Sequence, residues 1–541
     1  MRRFEGSRPR QTRIVATIGP CRDHDYPTYL QRLCEAGVDV MRLNMSHADA
    51  GYAKEREVLA WANRSFENHH SPDVAVMADL QGPKTRIGVL PEAGLQLDVG
   101  HTAWLVREGS TPAPELTAAG QSAPQIPVPE PLAGALLRGL RELLLHQPHP
   151  RPQVLFGDGD LIVEVEAIDD DRVRTMVVAG GRLGSRKGIT VREIDLDLDP
   201  FPTKDQHDLQ FCLEQGVDFV ALSFVRTVAD VERIREFIRQ HMPAHGRPAP
   251  RLIAKIETLS ALQHIEGILE ASDGIMVARG DLGLQLGVEE VPTVQKALLA
   301  AAQRHGKPAI VATQMLESMI ANPVPTRAEA SDVFNAIVDG GDAVMLSGET
   351  SVGTRPYQVV ATMDRIARKA EAWCRERDAG DGDGRQLGSA EGSYLQRINE
   401  AFAVTAVQFA EHLPARAVVC FTRTGRTPER LSRQRPTVPV LAFCSTPHVA
   451  RTLLLYYGLH PVLLAGIDPD SQKRVMVDSA RELLHRLYGM SRGEAIVLTA
   501  GIDWVKGGTN AVQVLVEDHK AANETPPSPS ERRQPWRPGA A

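Results

Sequence analysis

The feature that most constrains this chain is a repeated unit. A short apolar, often β-branched run closes on polar residues, and an amphipathic helical stretch follows it. Eight such runs can be read at residues 13–19, 39–46, 74–81, 218–225, 251–258, 274–281, 308–314 and 342–350. Helical periodicity fills most of the intervals, as at 27–36, 204–215, 228–240, 259–271, 291–305 and 327–338. Gly37, Gly216, Gly306 and Gly340 follow helical stretches and precede runs, where a left-handed C-cap permits a short αβ loop. Strands alternating with helices pair in parallel, and runs apolar along most of their length are buried on both faces. Eight units therefore predict a (β/α)₈ barrel of the TIM type. A doubly wound open sheet is the competing arrangement. The count disfavours it, as does the lack of a GxGxxG turn after the first run.

Between residues 86 and 204 the helical period gives way to short alternating segments, 95–99, 103–106, 154–156, 161–165 and 173–178, separated by Gly, Pro and Asp turns. This predicts a small β-barrel lid inserted in a barrel loop. After residue 375 a Gly/Asp-rich stretch reads as a linker, followed by a fresh α/β pattern and a Pro/Ser/Arg-rich tail. The expected organisation is barrel over 1–86 and 189–375, lid over 87–188, linker over 376–393, C-terminal α/β domain over 394–519, and disordered tail over 520–541.

Composition narrows the function. The 541 residues are 43% hydrophobic and 24% charged, ordinary for a soluble globular chain, and the net charge is −7. That balance disfavours a general nucleic-acid or membrane-surface role, though local lysines and arginines can still bind anionic substrates. Cys21, Cys34, Cys212, Cys374, Cys420 and Cys444 are scattered without a CxxC pair, so buried thiols in a reducing compartment are expected. No apolar run reaches bilayer length and the N-terminus lacks a signal-peptide core, which places the expectation in the cytoplasm.

Polar residues gather where a barrel carries its active site, at the strand C-termini. The second run ends Arg42-Leu43-Asn44-Met45-Ser46-His47 and the third continues Asp79-Leu80-Gln81-Gly82-Pro83-Lys84-Thr85-Arg86. The fifth ends Lys255-Ile256-Glu257, the sixth Arg279-Gly280-Asp281, and the seventh Thr313-Gln314. Lys255 and Glu257 are two apart, so on a strand they share a face. A structural ion pair would look the same. Asp281 from the neighbouring run adds a second carboxylate, and two carboxylates without His or Cys suit Mg²⁺ or Mn²⁺. A divalent ion flanked by lysine and arginine serves phosphoryl transfer, and equally an enolate in a metal-dependent lyase or aldolase.

The chain resembles the pyruvate kinases in eight ordered motifs. Thr17-Ile18-Gly19-Pro20, residues 41–47, residues 79–83, Ile253-Ala254-Lys255-Ile256-Glu257, residues 277–283, residues 312–319, Arg327-Ala328-Glu329 and residues 345–350 carry the likeness. It implies a phosphotransferase that makes pyruvate and ATP from phosphoenolpyruvate and ADP, the last step of glycolysis. By resemblance, Glu257 and Asp281 hold the divalent ion, Lys255 stabilises the transferring phosphoryl and developing enolate, and Arg42 contacts phosphate. Thr313 lies where the family places a residue near the protonation step, although a hydroxyl bonded to backbone reads equally well. Ala278, Arg279 and Gly280 are expected to receive the substrate with their backbone amides. Arg86, Lys187, His47 and Asn44 fall on the nucleotide side, and Asp158 matches a lid-turn aspartate.

Many relatives of this kind carry glutamate where Lys84 stands and bind K⁺ through residues matching Asn44, Ser46 and Asp79. An ammonium at Lys84 would supply that charge internally, so K⁺ is expected to be unnecessary. Leu80 and Gln81 also replace the usual Thr and Lys. The segment Thr422-Arg423-Thr424-Gly425-Arg426-Thr427 resembles the family's effector loop for a sugar phosphate or nucleotide, with Trp504 and Gly507-Gly508-Thr509-Asn510 opposite. A homotetramer is the family expectation.

Overall fold

The computed structural model describes residues 10–21, 25–49, 51–67, 74–83, 85–110, 123–146, 151–169, 171–243, 248–381, 394–464, 493–500 and 511–516, with 482 and 485. Eight parallel strands close into a barrel: β1 (Arg13–Thr17), β2 (Val40–Asn44), β3 (Ala75–Asp79), β4 (Phe219–Leu222), β5 (Arg251–Ile256), β6 (Gly274–Ala278), β7 (Ala309–Ala312) and β8 (Ala343–Leu346). Each pairs with its sequence neighbours, and β1 closes on β8 through Arg13 with Ala343 and Ala16 with Leu346.

Alternation along each strand divides the core in two. Ile14, Met41, Val76, Leu252, Ala254 and Val277 point outward and pack under the surrounding helices. Val15, Val40, Met77, Phe219, Ile253, Met276, Ile310 and Met345 point inward and fill the barrel itself. Local chemistry sets the helix ends. Asp25 caps the Tyr26–Ala36 helix by accepting from Thr28 N, and Gly37 terminates it at φ 123°. Thr326 and Glu329 form a capping box on the Arg327–Val338 helix.

The chain forms two compact units. One comprises residues 10–381 with 454–457. Within it the insertion builds a six-stranded sheet, in the order Ile189–Val191, Gln153–Phe156, Leu161–Ile168, Arg172–Ala179, Thr102–Arg107 and Gln125–Val128, with a ribbon of Leu95–Leu97 and Gly181–Leu183. The insertion also carries a Leu132–His146 helix that the sequence reading did not place; Leu132, Ala133, Leu136, Leu137 and Leu140 bury one stripe of it in the lid's own core. The Pro356–Asp381 helix runs past residue 375, where the linker was expected to begin. Arg375 and Arg377 are good helix formers, and Arg377 stacks over the Trp373 ring one turn back. The other unit has a five-stranded sheet in the order Leu459–Leu463, Val440–Cys444, Val418–Thr422, Ala495–Ala500 and Ala511–Val516, with only the last pairing antiparallel. The tail, residues 504–510 and all of the helix expected at 471–488 except 482 and 485 lie outside the described residues.

Two carboxylates anchor the strand ends. Asp39 accepts from Arg10 Nη2 at 2.8 Å and Ile14 N at 2.9 Å, while Arg10 Nε reaches Asp364 at 2.8 Å. Arg10 and Asp39 are both buried, and Arg10→Met leaves the Asp39 charge with a weaker shell that includes Arg13 at 3.3 Å, so it is expected to cost about 3 kcal/mol, read as a lower urea midpoint. Asp205 accepts from Gln81 N and Gly82 N at 3.1 and 2.7 Å, which fixes the turn after β3. Burial nevertheless pushes its carboxyl up to about 6. A carboxyl raised in the folded state contributes stability at low pH that is lost as pH rises through 6. Urea titrations at pH 4 and pH 8 should show the parent losing about 2 kcal/mol relative to Asp205→Asn over that span.

Candidate active site

The inward register places the polar residues. Val15 faces the barrel interior, so Thr17 does too at the next inward position; Val40 is followed likewise by Arg42, Met77 by Asp79, Ala221 by Ser223, and Ile253 by Lys255. Five strands thus deliver five polar side chains to the C-terminal mouth.

Lys255 is the centre. Its Nζ lies 3.0 Å from Glu257 Oε1, 3.2 Å from Asp79 Oδ1 and 2.7 Å from Ser223 Oγ. Arg42 Nε approaches the other Asp79 oxygen at 2.6 Å, and its Nη1 donates to Thr17 Oγ1 at 2.8 Å. Glu257 Oε2 accepts from Phe224 N at 2.7 Å. Burial opposes every charge here. For Lys255 the carboxylates of Asp79 and Glu257 outweigh it and hold the ammonium above the ordinary lysine range. Asp79 stays below the usual carboxylate range because Arg42 and Lys255 overcome its burial. For Glu257 burial prevails, with Asp281 adding to it, and its proton affinity rises.

Asp281 stands in the first turn of the Arg279–Leu286 helix rather than on the strand run where the sequence placed it. Asp281 is exposed, yet desolvation, with Asp158 and Asp79 nearby, raises its carboxyl despite Lys255. The donor set fits a hard divalent cation: one buried and one accessible carboxylate, both short of positive charge, with positions left for water and substrate oxygens. Among the described residues no cluster of three or more His, Cys, Asp or Glu encloses a metal.

Thr313 and Gln314 follow β7 at φ 70° and 53°, rare for non-glycine residues and rarest for the β-branched Thr313. Thr313 Oγ1 donates to Ala312 O at 2.6 Å and accepts from Gly280 N at 2.8 Å. The Gly280 amide, expected to face substrate, is therefore engaged by Thr313. The Arg279 side chain turns into the wall, with Nη2 donating to Thr313 O at 2.7 Å and Nη1 meeting Asp332 at 2.7 Å. Ala278 is the buried N-cap of this helix.

On the opposite rim, Asn44 Oδ1 accepts from Ser46 N at 3.2 Å and shapes the Met45–His47 turn. His47 is exposed, and desolvation together with Arg86, Lys54, Arg42 and Lys204 lowers its proton affinity. Arg86 and Lys187 are both exposed at the lid's neck, where Arg86 bridges Gly188 and Ile87 N donates to Lys187 O. The structure adds Lys204, whose Nζ donates to Met45 O at 2.7 Å and to Asp208 at 2.6 Å. The sequence showed it only as a helix start; a lysine in the first turn of a helix beside a phosphate-facing rim was the available signal. Lys84 lies outside the described residues. The loop at 422–427 belongs to the other unit. There Gly425, at φ 89°, donates to Thr422 Oγ1 at 2.8 Å and opens the Arg426–Arg433 helix, with Arg423, Thr424 and Arg426 exposed and Thr427 half-buried.

Comparison with known proteins bears on this geometry. The family model for the pyruvate kinase barrel domain matches residues 9–116 and 140–360, and that for the pyruvate kinase alpha/beta domain matches 400–515. A pyruvate kinase of Agrobacterium vitis is 38% identical over 94% of this chain and 96% of its own length. Pyruvate kinase 2 of a Synechocystis strain is 39% identical over 94% of this chain and 79% of its own. The crystal structure of a pyruvate kinase from Cryptosporidium parvum superposes with a TM-score of 0.79 at 29% identity, over 94% of this chain and 96% of that one. The lyase reading of the barrel is not favoured by any of these. With an intact Lys255–Glu257–Asp281 mouth, an inserted lid and both matching domains, the chain belongs to the pyruvate kinase family of phosphotransferases.

Proposed function

We propose that the barrel mouth transfers the phosphoryl group of phosphoenolpyruvate to ADP with the residues assigned as follows. The observation that carries the assignment is the Lys255 ammonium held between Asp79 and Glu257 while Arg42 shares Asp79. Lys255 and Arg42 meet the phosphoryl oxygens, and their positions are fixed before substrate arrives, so charge developing in transfer is met without reorganisation. Glu257 and Asp281 would hold Mg²⁺ or Mn²⁺, which when bound neutralises phosphate and enolate oxygens. The bond from the enol oxygen to phosphorus breaks as the ADP terminal oxygen bonds to phosphorus. The enolate so released takes a proton at its methylene carbon, near Thr313, and becomes pyruvate. Arg86, Lys187, His47, Asn44 and Lys204 form the cationic and polar rim for nucleotide phosphates. The lid over 87–188 closes on that rim and excludes water as a competing acceptor.

Lys84 takes the place of a bound K⁺ beside Asn44, Ser46 and Asp79. The loop at 422–427, with its helix-start amides and arginines, receives a phosphate-bearing effector, a sugar phosphate or a nucleotide. The protein works in the cytoplasm as a homotetramer. Among the described residues no helix is long and apolar enough to cross a membrane.

A coupled assay for ATP formed from phosphoenolpyruvate and ADP tests the central assignment. Activity should require Mg²⁺ or Mn²⁺, and Lys255→Met should lower kcat about a thousandfold. Undiminished turnover in that variant would refute the role of Lys255. The same assay in sodium-only or tetramethylammonium buffer should proceed at the rate seen with K⁺; strong stimulation by K⁺ would refute the role given to Lys84.

A further inference from the structure

We propose that Asp195 and Gln285 are positioning residues, through which the segment returning from the lid to the barrel sets Glu257 and Asp281. This rests on the assignment of those two carboxylates to the divalent ion above.

The return segment follows the lid strand Ile189–Val191 and grips both carboxylate-bearing elements. Asp195 Oδ1 accepts from Leu259 N at 3.1 Å and Oδ2 from Ser260 N at 2.6 Å. Those amides open the Leu259–Gln263 helix, two and three residues beyond Glu257. A helix start usually finds its acceptors in the residue just before it. Thr258 fills that role only for Ala261 N, and the other two amides depend on a carboxylate from the lid connection. Thr258 also donates to Val225 O at 2.9 Å, while Phe224 N donates to Glu257. Shifting residues 258–260 therefore moves the Glu257 carboxylate against its own hydrogen-bond donor.

Gln285 holds the other side. It lies one helical turn after Asp281 in the Arg279–Leu286 helix, so the two share a face. Its backbone carbonyl accepts from Glu193 N at 3.3 Å. Its side-chain nitrogen, oriented to satisfy both acceptors, donates to Val191 O at 3.2 Å and Ile194 O at 3.3 Å. Glu193 adopts φ 63° without being glycine, a local cost that the flanking contacts must offset.

Apolar packing ties the segment to the lid, where Ile194 and Leu196 lie against the lid core. Towards the barrel a cavity of about 40 Å³ separates the two, lined by Thr85, Val191, Leu196, Phe224 and Arg226 among others. Close-packed interiors leave few such spaces, so on that side polar contacts on the two banks fix the segment. Lid movement about the Arg86–Gly188 bridge then reaches both carboxylates, and by linkage a ligand that closes the lid and the divalent ion favour one another.

The test is Mn²⁺ titration of the substrate-free protein, following free ion by electron paramagnetic resonance, for the parent, Asp195→Ala, Asp195→Asn, Gln285→Leu and Glu257→Gln. Thermal midpoints and coupled-assay kcat and KM are measured on the same samples. Asp195→Ala and Gln285→Leu are expected each to weaken Mn²⁺ binding about tenfold. They should lower kcat more than they change the KM for ADP, and Asp195→Asn, which keeps one acceptor, should fall between. If Asp195→Ala does not fold, the Asn and Gln285→Leu variants decide. Unchanged Mn²⁺ affinity in these variants overturns the proposal, whatever the thermal midpoints do, as does Mn²⁺ binding that survives Glu257→Gln. A parent that binds Mn²⁺ through Glu257, responds as expected at Asp195 and Gln285, yet forms no ATP would instead refute the functional reading and leave the positioning role standing.

Discussion

The shared ammonium of Lys255 is the constraint around which the mouth is organised. Removing two carboxylates from water inside a barrel is costly, and no hydrophobic packing compensates for it. Lys255 offsets this fully for Asp79 and only in part for Glu257, and Arg42 completes the shell of Asp79. The balance stays incomplete: two cations face the three carboxylates Asp79, Glu257 and Asp281. The two that remain raised, Glu257 and Asp281, are those placed to accept a further positive charge, whereas Asp79 is satisfied already. One strand partner is thus structural in its electrostatics and the other pair is left hungry for a cation.

The barrel and the lid divide the labour of rigidity. Strand ends carry the charged groups because their interior register is fixed by Val15, Val40, Met77 and Ile253 below them. The lid has a separate apolar core, with Phe156, Val163, Ile126 and Leu136 inside it. Its connections are where precision must be supplied by hydrogen bonds.

Much of this was legible in the sequence. The eight strands announce themselves because burial on both faces leaves short uninterrupted apolar runs, and a polar residue at the end of such a run has no other reason to be there. Lys255 and Glu257 are two apart, so period alone puts them on one side. Other features have no such signature. Asp281 was read onto a strand because nothing in Ala278-Arg279-Gly280 marks the switch to helix, and Gly280 is a poor helix former. The positive φ of Thr313 contradicts its β-branched chemistry and is imposed by tertiary contacts. Lys204 sits 159 residues from the carbonyl it meets at Met45, and Asp195 sits 64 from Leu259, distances at which no local pattern informs.

One further consequence comes from residues 454–457, which belong to the barrel unit although the chain on either side of them belongs to the other. Leu454 and Leu455 join the interior cluster of the barrel, Arg13 Nε donates to Tyr456 O at 2.9 Å, and Arg251 Nη1 donates to Tyr456 Oη at 2.5 Å. Arg13 and Arg251 begin β1 and β5, so this tetrapeptide is the stopper at the end of the barrel opposite the mouth. A protein ended after the Pro356–Asp381 helix would contain every strand and every charged group of the mouth, yet lack the two leucines that cover the interior core from below. The base of the barrel is thus completed by four residues that arrive more than 70 positions after its last helix has ended.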